Sequence, residues 1–286
     1  MTKKYSRRTF LKRIVSTITA TLLTTTIGFV YARHIEPKRI TISRHVLKHP
    51  LIPHSFKDIK VVQFSDTHIG HFLDLEHLSK IIEKINELGP DIVLFTGDLL
   101  DEPNKYPFSA AVPPILSRLK APLGKYCIYG NHDHGGYGSD IYKSIMEQSG
   151  FTVMLNSSTR ISIKGADIAI AGLDDVMLGK PDYSHTFKDI SQDTLYTILL
   201  VHEPDVAPQS SSFGAHVQLS GHSHGGQIQL PFVGPIVTPP LGTDYYEGVH
   251  TIGATTLYVN KGLGTTRLPF RFLAPPEISV YTFQPD

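Results

Sequence analysis

Five short apolar segments of this chain each run directly into aspartate, asparagine or histidine. The five clusters are Asp66-Thr67-His68, Gly97-Asp98, Gly130-Asn131-His132-Asp133, His202-Glu203 and Gly221-His222-Ser223-His224. Short apolar runs rich in β-branched and aromatic side chains predict buried strands. Open α/β sheets bind their ligands beyond the carboxyl ends of such strands. The pattern therefore predicts one polar site at the edge of a sheet.

The segment from residue 59 to residue 129 alternates strands with helices. We predict strands at 59–65, 91–96 and 125–129, with helices at 74–88 and 113–119 between them. Leucine and isoleucine recur at helical spacing in the first of these helices, and Gly89-Pro90 ends it. Strands that alternate with helices make right-handed crossovers and a largely parallel sheet.

After a predicted helix at 141–148, the pattern changes to short strands without long helices. The remaining predicted strands cover 40–45, 160–163, 168–171, 195–201, 217–219, 226–230, 256–260 and 278–283. The segment 232–244 is rich in proline and glycine, which predicts a surface loop. Together these elements predict an α/β fold, a four-layer α/β/β/α sandwich in which helices flank two mixed sheets. We expect residues 33–286 to form this sandwich as a single domain.

The composition excludes two kinds of site. The 286 residues carry a formal net charge of +1, whereas a general nucleic-acid binder presents a broad basic face. Cys127 is the only cysteine, so the chain can form neither an intramolecular disulfide nor a zinc–thiolate site. We expect a monomer without a specific nucleic-acid partner, in which Cys127 is buried within its strand.

The first 32 residues form a segment of a different kind. Lys3-Lys4 opens a basic region, and the uncharged run 14–32 ends in Val30-Tyr31-Ala32, which has the small-x-Ala form of a cleavage site. Ser6-Arg7-Arg8-Thr9-Phe10-Leu11-Lys12 resembles the twin-arginine export signal. This resemblance implies a signal peptide over residues 1–32, with the twin-arginine translocase as a partner during export. The alternative is a retained signal-anchor helix.

Both interpretations of the leader place the domain on the far side of the cytoplasmic membrane. We therefore expect an exported protein that is secreted or associated with the cell wall or the outer face of the membrane. The twin-arginine route is known for carrying folded proteins, often with a cofactor in place. A metal site that is loaded before export fits that route.

Side chains of the five clusters suit divalent metal ions. Carboxylates, an amide and imidazoles of this kind are ligands for manganese, iron or zinc. Seven of them could hold two ions if one carboxylate is shared, and Asp98 is our candidate for the shared ligand. The seven are Asp66, His68, Asp98, Asn131, His202, His222 and His224. His222 and His224 are two apart in an extended segment, so their side chains share a side.

The order Asp-x-His, Gly-Asp, Gly-Asn-His-Asp, His and Gly-His-x-His resembles the complete motif set of the calcineurin-like metallophosphoesterase family. The resemblance covers residues 59–224 and implies two divalent metal ions, of which we favour manganese or zinc over iron. It implies that one ion is held by Asp66, His68, Asp98 and His224. It implies that the other is held by Asp98, Asn131, His202 and His222.

The same resemblance implies a mechanism. A hydroxide that bridges the two ions would attack phosphorus in line with the leaving group. His132 would protonate the leaving oxygen as the general acid, and the carboxylate of Asp101 would orient that histidine. The alternative for His132 is a supporting role without proton transfer.

The leader, Gly172-Leu173-Asp174-Asp175 and the tail from Gly262 to Ile278 resemble the exported, YkuE-type branch of the family. This resemblance implies a phosphodiester, phosphomonoester or pyrophosphate substrate, either a small molecule, a lipid-linked compound or a cell-wall component. The second motif excludes the neighbouring protein phosphatases. In those enzymes it continues Asp-Arg-Gly, whereas Asp101 is followed here by Glu102-Pro103.

Other roles are open for individual ligand candidates and for the whole chain. Asp66 and His68 could cap the helix that begins near Asp74, and His202 could be a core histidine. A non-catalytic cell-surface metal-binding or adhesion protein is the alternative from another functional class. We favour the enzyme, because a passive binder has no need of His132 as an acid beside seven intact ligands.

Further polar residues near the motifs have weaker predicted roles. Glu203 faces away from His202 along the strand, so we expect it to be solvated. Asp174 and Asp175 are expected to support the site from behind. Arg267 or Arg271 could bind the phosphate of a substrate or form a surface salt bridge.

Overall fold

Two six-stranded sheets form the centre of the fold in the computed structural model, which describes residues 6–134, 139–191 and 195–286. The strands of the first sheet, in spatial order, are β1 Thr41–His49, β14 Glu277–Pro285, β2 Lys60–Phe64, β3 Ile92–Phe95, β4 Lys125–Cys127 and β5 Thr152–Val153. The strands of the second are β12 Gly248–Ile252, β13 Thr255–Val259, β9 Val217–Ser220, β8 Thr197–Leu200, β7 Ala166–Gly172 and β6 Ser157–Ile163. A short hairpin joins β10 Gln229–Leu230 to β11 Gly234–Pro235. The basic residues Lys3 and Lys4 lie outside the described residues.

Helices cover both outer faces of the paired sheets. The α-helices are α1 Arg7–Val30, α2 Leu75–Glu87, α3 Val112–Leu116, α4 Asn131–His134, α5 Ser139–Gln148, α6 Tyr183–Phe187 and α7 Ala207–Ser212. Apolar side chains of α2, α3 and α5 share one buried cluster with the first sheet, and α6 packs on the second. A separate cluster fills the space between the sheets. The predicted four-layer α/β/β/α arrangement is confirmed.

The first sheet is mixed, as predicted, because one strand of its parallel half has an antiparallel neighbour. Strands β2, β3, β4 and β5 run parallel, while β14 runs antiparallel to β2 and parallel to β1. As a result β1 begins at the end of the sheet where β2 ends. Because β2 leads into Asp66 and His68, the first residue of β1, Thr41, lies at the same end as the predicted site.

Helix α2 forms where the spacing of leucine and isoleucine predicted it. Its buried side chains are Leu78, Ile81, Ile82 and Ile85, which recur at three- and four-residue intervals and so lie on one face. Asp74 is the N-cap, since its carboxylate accepts a hydrogen bond from the backbone N–H of His77 at 2.8 Å. The alternative role of Asp66 and His68 as caps of this helix is therefore wrong.

Some elements depart from the predicted pattern. The predicted strand at 226–230 shrinks to the two residues of β10, because a tight turn covers His224–Gly226. Strand β5 has two residues, which is too short to give a periodic signal. Strand β12 is mostly solvent-exposed at the edge of its sheet, so its residues show no apolar alternation.

Helix α1 stands apart from both sheets. It has no buried residue, and it continues without a break through a wide turn at Tyr31–Ile35 and a tight one at Glu36–Lys38. By length and composition this helix could cross a membrane, although a signal sequence passes the same test. The predicted boundary at residue 32 thus falls inside a continuous helical segment.

Candidate metal centre

The five predicted clusters meet at one end of the two sheets. Asp66 and His68 follow β2, Asp98 follows β3, and Asn131 opens α4 just beyond β4. From the second sheet, His202 follows β8, and His222 and His224 follow β9. The structure brings six of the seven predicted ligands into groups whose ligand atoms lie within 4.8 Å of one another. These groups are Asp66 with His68 and His224, Asp98 with His202 and His222, and His68 with Asp98 and His132.

Asp98, a member of the second group, also lies close to the first group. Its Oδ2 is 3.5 Å from Nε2 of His68 and 3.3 Å from Nε2 of His202. On the outer side, Nε2 of His224 is 3.0 Å from Nε2 of His68 and 3.5 Å from Oδ1 of Asp66. One carboxylate oxygen can therefore serve both groups, which is the arrangement that two ions with a shared ligand require.

Hydrogen bonds on the far side of each ring fix which nitrogen faces the centre. Nδ1–H of His202 donates to the carbonyl of Thr96 at 2.6 Å, and Nε2–H of His222 donates to the carbonyl of Pro240 at 2.8 Å. Nδ1–H of His68 donates to Oδ1 of Asp101 at 3.1 Å. In each ring the other nitrogen is turned towards the other candidate ligands. Such partners orient metal-binding histidines and set their tautomers.

Two buried polar atoms at the centre have no hydrogen-bond partner among the described residues. They are Oδ1 of Asn131 and Nε2 of His202. Buried polar atoms are nearly always paired, so these two atoms are candidates for binding a ligand. Burial lowers the pKa of His222 to about 4 and that of His224 well below its usual value, so both imidazoles are neutral. Neutral imidazoles, an amide oxygen and carboxylates fit a divalent metal ion.

The charge of Asp98 is held by its histidine neighbours. Its burial opposes ionisation, but His202, His132 and His68 together keep the pKa of this carboxyl well below its ordinary value. The backbone N–H of His132 also donates to Oδ1 of Asp98 at 2.9 Å. One oxygen of Asp98 thus anchors the start of α4, and the other faces the histidines.

Most of the candidate ligands hold an unusual backbone conformation. Five have a positive φ, namely Asp66 (49°), His68 (43°), Asp98 (61°), His222 (70°) and His224 (53°). Non-glycine residues in this region cost about 1–2 kcal/mol each. The surrounding contacts must over-determine these conformations, which is typical of functional sites. The local sequence contains no pattern that predicts the positive φ angles of these residues.

Two glycines of the motifs are needed because atoms of the centre lie against them. A Cβ on Gly130 would collide with Oδ1 of Asp98, and a Cβ on Gly221 would collide with Oγ of Ser65 and Oδ2 of Asp66. The structure shows that close approach of Asp98 is what excludes a side chain at Gly130.

Asp133, which is not among the predicted ligands, joins two of the clusters. Its carboxylate accepts hydrogen bonds from the backbone N–H groups of Asp98 (2.8 Å), Leu99 (3.0 Å) and Gly130 (2.9 Å). Burial, with a further contribution from Asp98, raises its pKa to about 7. Asp133 therefore holds the turn after β3 against the turn after β4.

His132 lies beside the first group and lines the opening of the site. Its Nδ1–H donates to the backbone carbonyl of Asp101 at 2.7 Å, and its ring meets that of His68 edge to face at 4.5 Å. The carboxylate of Asp101 is 3.7 Å from Nδ1 of His132, farther than its 3.1 Å contact with His68. The structure therefore differs from the prediction, because Asp101 orients His132 through its backbone and His68 through its side chain.

A cavity of about 400 Å³ opens over this side of the centre. Its walls are Asp101, Glu102, Pro103, Asn104, Lys105, Asn131, His132 and Leu178. The volume suits a small ligand or the head of a larger one. Burial lowers the pKa of His132, but Asp98 and the carbonyl of Asp101 outweigh that effect and raise it. The raised pKa favours the protonated imidazole at the cavity wall.

The prediction that Glu203 is solvated is wrong. Its side chain is fully buried, and its carboxylate accepts hydrogen bonds from the backbone N–H groups of Val176 and Met177 at 3.0–3.2 Å. Burial raises its pKa to about 8, and a hydrogen bond with Asp175 adds to the shift. Asp174 accepts from Nε2–H of His134 at 2.6 Å, and both Asp174 and Asp175 are buried.

Arg271 is also buried, so it forms neither a surface salt bridge nor a contact with substrate. Its guanidinium donates to the carbonyls of Gly264 (2.6 Å), Ala274 (2.8 Å) and Lys261 (2.8 Å). Its Nη2 is 3.3 Å from Nδ1 of His224. Arg271 therefore holds the tail of the chain behind a candidate ligand, whereas Arg267 is exposed.

Comparison with known proteins agrees with this geometry. Residues 59–226 match the model of the calcineurin-like phosphoesterase family. The chain is 53% identical to the uncharacterized metallophosphoesterase YkuE of Bacillus subtilis, and the match covers 99% of each chain. It is 29% identical to the UDP-2,3-diacylglucosamine pyrophosphatase LpxG of Chlamydia trachomatis, over 93% of this chain and 95% of the relative. It is 28% identical to the phosphodiesterase YaeI of Escherichia coli, over 96% and 98%.

Among solved structures, the NAD nucleotidase NadN of Haemophilus influenzae has a similar fold. The TM-score is 0.51 at 14% sequence identity, over 72% of this chain and 51% of NadN. The chain thus spans about half of that larger protein, and at this identity the likeness concerns the fold alone. Taken with the motif order and the paired groups around Asp98, the matches show that the chain belongs to the calcineurin-like metallophosphoesterase family and is a metal-dependent phosphoesterase.

Proposed function

We propose that this protein is an exported phosphohydrolase with two divalent metal ions that cleaves a phosphodiester or a pyrophosphate. The position of Asp98 carries the proposal. Its Oδ2 lies within 3.5 Å of a histidine from each group, so a shared carboxylate stands between two sets of buried donors. The proposed sets are those of the family. Asp66, His68, Asp98 and His224 form one, and Asp98, Asn131, His202 and His222 form the other.

When bound, divalent ions at such a site polarise phosphoryl oxygens and supply a strong nucleophile from water at neutral pH. The ligand chemistry suits manganese, zinc or iron, and manganese or zinc is our expectation. The chain's own contribution is to bring seven donors together at one end of the two sheets. The buried Asn131 Oδ1 and His202 Nε2, neither of which makes a hydrogen bond to another described residue, support this assignment.

His132 is the proposed general acid. The proton on its Nδ1 is committed to the carbonyl of Asp101, so Nε2 is the atom that can transfer a proton. His132 also lines the cavity over the centre, where the leaving group of a substrate would lie. The raised pKa keeps more of the imidazole in the acid form that donates to a leaving oxygen.

Asp101 is proposed as a positioning residue for His68. An Asp101→Ala protein is expected to lose about 10- to 100-fold in metal affinity or activity, because His68 loses the acceptor that fixes its ring. Asp101→Asn keeps an oxygen for His68 Nδ1–H and should recover part of that loss. The pH limb that reports on the acid should move to lower pH by the same small amount in both proteins, because both lose the Asp101 charge that helps to raise the pKa of His132 while the backbone carbonyl of residue 101 still binds the ring. Loss of the limb in Asp101→Ala but not in Asp101→Asn would instead favour the predicted role of the side chain in orienting His132.

The leader supports export. Ser6-Arg7-Arg8-Thr9-Phe10-Leu11-Lys12 is the twin-arginine pattern, and Ser6 caps α1 by accepting a hydrogen bond from the N–H of Thr9. We propose that the twin-arginine translocase carries the folded chain, which acts as a monomer outside the cytoplasmic membrane. Cell-wall or lipid-linked phosphates are the natural substrates there. The relatives named as a pyrophosphatase and a phosphodiesterase support a pyrophosphate or diester bond.

The first test is an assay of the purified full-length protein on bis-p-nitrophenyl phosphate beside p-nitrophenyl phosphate. We expect diester cleavage that EDTA abolishes and added manganese restores, with close to two metal ions bound per chain. Metal bound at that level with no cleavage of either ester would favour the alternative of a non-catalytic metal-binding or adhesion protein. Cleavage that survives EDTA would contradict the proposed metal dependence.

A further inference from the structure

The C-terminal end of helix α1 packs against the domain. Rings of Phe29 and Phe270 meet at 5.2 Å, those of Tyr31 and Phe272 at 6.3 Å, and the N–H of Arg271 donates to the carbonyl of Ala32 at 3.0 Å. Four residues later, the buried carboxylate of Glu36 accepts from the N–H of Ala274 at 2.7 Å. From Ser6 to Ile27 the same chain segment is exposed to solvent.

The same helix leads to the end of the molecule that holds the metal centre. The chain passes from α1 to Thr41 at the start of β1, which pairs with Glu277 at the end of the sheet where β2 and β3 finish. The guanidinium of Arg33 lies 5.1 Å above the ring of Phe72, in the loop that follows His68. The end of the helix and the loop that follows the candidate ligand His68 therefore lie side by side.

A second apolar feature shares this base. Phe272, which contacts Tyr31, pairs with Ile228 and Gln229 at the foot of the β10–β11 hairpin. The hairpin exposes large apolar side chains at its tip, with Phe232 fully exposed and Val233 76% exposed. Ile236 and Val237, directly after it, are more than half exposed as well. A contiguous exposed apolar patch of this kind marks an interaction surface.

We propose that α1 stays attached as a membrane anchor and that the tip of the β10–β11 hairpin dips into the same bilayer surface. The uncharged run 14–32 would span roughly 28 Å as a helix, close to the hydrocarbon core of a bilayer. Basic residues Arg7, Arg8 and Lys12 precede the run, which orients the N-terminus towards the cytoplasm and the domain outside.

The bilayer is the occupant that these contacts favour for the hairpin tip. An anchor fastened beside the foot of the hairpin brings lipid to the exposed Phe232 and Val233 without a further partner. Phe29, Tyr31, Phe270 and Phe272 then form an aromatic cluster at the membrane boundary, where such rings are favoured. The metal centre would face the headgroup layer, so its substrates are amphiphilic phosphates that lie in that layer. The assignment of amphiphilic phosphates as substrates rests on the proposed function, whereas the membrane-docking surface does not.

The absence of tryptophan from the chain offers a direct test. Full-length Phe232→Trp protein is reconstituted into vesicles of phosphatidylglycerol and phosphatidylcholine, with and without brominated acyl chains. Val46→Trp is the matched control. Val46 is an exposed apolar residue of β1 that aligns, through Thr282, with Lys60 at the opposite end of the sheet from the site. Soluble diester hydrolysis should be unchanged in both proteins, which shows that they are folded.

On vesicles, Phe232→Trp is expected to show blue-shifted emission and loss of fluorescence to brominated lipid, while Val46→Trp shows neither. Equal emission and equal quenching in the two proteins would overturn the docking surface. Intact mass of the protein from the membrane fraction of expressing cells is expected to include residues 14–32. A mass that corresponds to a chain beginning after Ala32 would contradict a retained anchor. Quenching by lipid in Phe232→Trp, together with no diester hydrolysis by the parent protein, would support the docking surface and contradict the proposed function.

Discussion

An Asp98→Asn protein is expected to lose metal from both halves of the centre and to lose diester hydrolysis by about 10³-fold or more. Two metal ions contribute several kcal/mol to the stabilisation of a phosphoryl transition state, and each 1.4 kcal/mol is about tenfold in rate. Asp98 is the side chain within reach of His68 and His202 together, so its charge serves both groups. Metal content by elemental analysis and the diester assay, run on the same preparation, measure the two losses.

Asp58→Asn is the matched control for this prediction. Asp58 is exposed and holds a φ of 64°, close to the 61° of Asp98, so the control repeats the loss of charge and the backbone conformation. It should retain full metal content and activity. If Asp98→Asn loses one ion and keeps the other with its usual affinity, Asp98 is a ligand of one group and the shared role is refuted.

His132→Ala should lose hydrolysis by about 10²–10⁴-fold while it keeps both ions, since general acid catalysis contributes that much. The loss should be larger for a diester with an alkyl leaving group than for one that releases p-nitrophenolate, because the latter leaves readily without a proton. Rates on two such diesters, compared with metal content, test the assignment.

His132→Asn separates proton transfer from packing. Its amide can still donate to the carbonyl of Asp101 but cannot act as an acid, so it should be as slow as His132→Ala. His54→Ala, at an exposed histidine before β2, is the surface control. A His132→Ala protein that loses metal, or that is equally impaired on both leaving groups, would make His132 a ligand or a supporting residue.

The parts of this structure that follow from the sequence are those with a repeated local signal. The helix at Leu75–Glu87 repeats its apolar residues over three turns, and each ligand cluster follows a β-branched or aromatic run. The parallel strand order then brings the clusters to one edge by topology alone. The candidate ligands could thus be named without coordinates.

The remaining features depend on contacts between distant segments. Strand β14 inserts between β1 and β2, with Thr41 paired to Glu277, more than two hundred residues away in the chain. Glu203 was expected in solvent because alternation along a strand shows the direction of a side chain, but does not show which other segment packs over that face. Arg271 likewise carries no local sign that it is enclosed by the carbonyls of residues 261–274.

The left-handed conformations of the candidate ligands bear on the order in which the protein folds and binds metal. Residues such as Asp66, Asp98 and His222 hold these conformations through contacts of the folded backbone, so the positions of the ligands depend on folding. Under the proposed export by the twin-arginine translocase, which carries folded proteins, the ligand positions would be set before the chain crosses the membrane. The metal could then bind on either side of that membrane, and the supply of ions in each compartment would decide which metal occupies the centre.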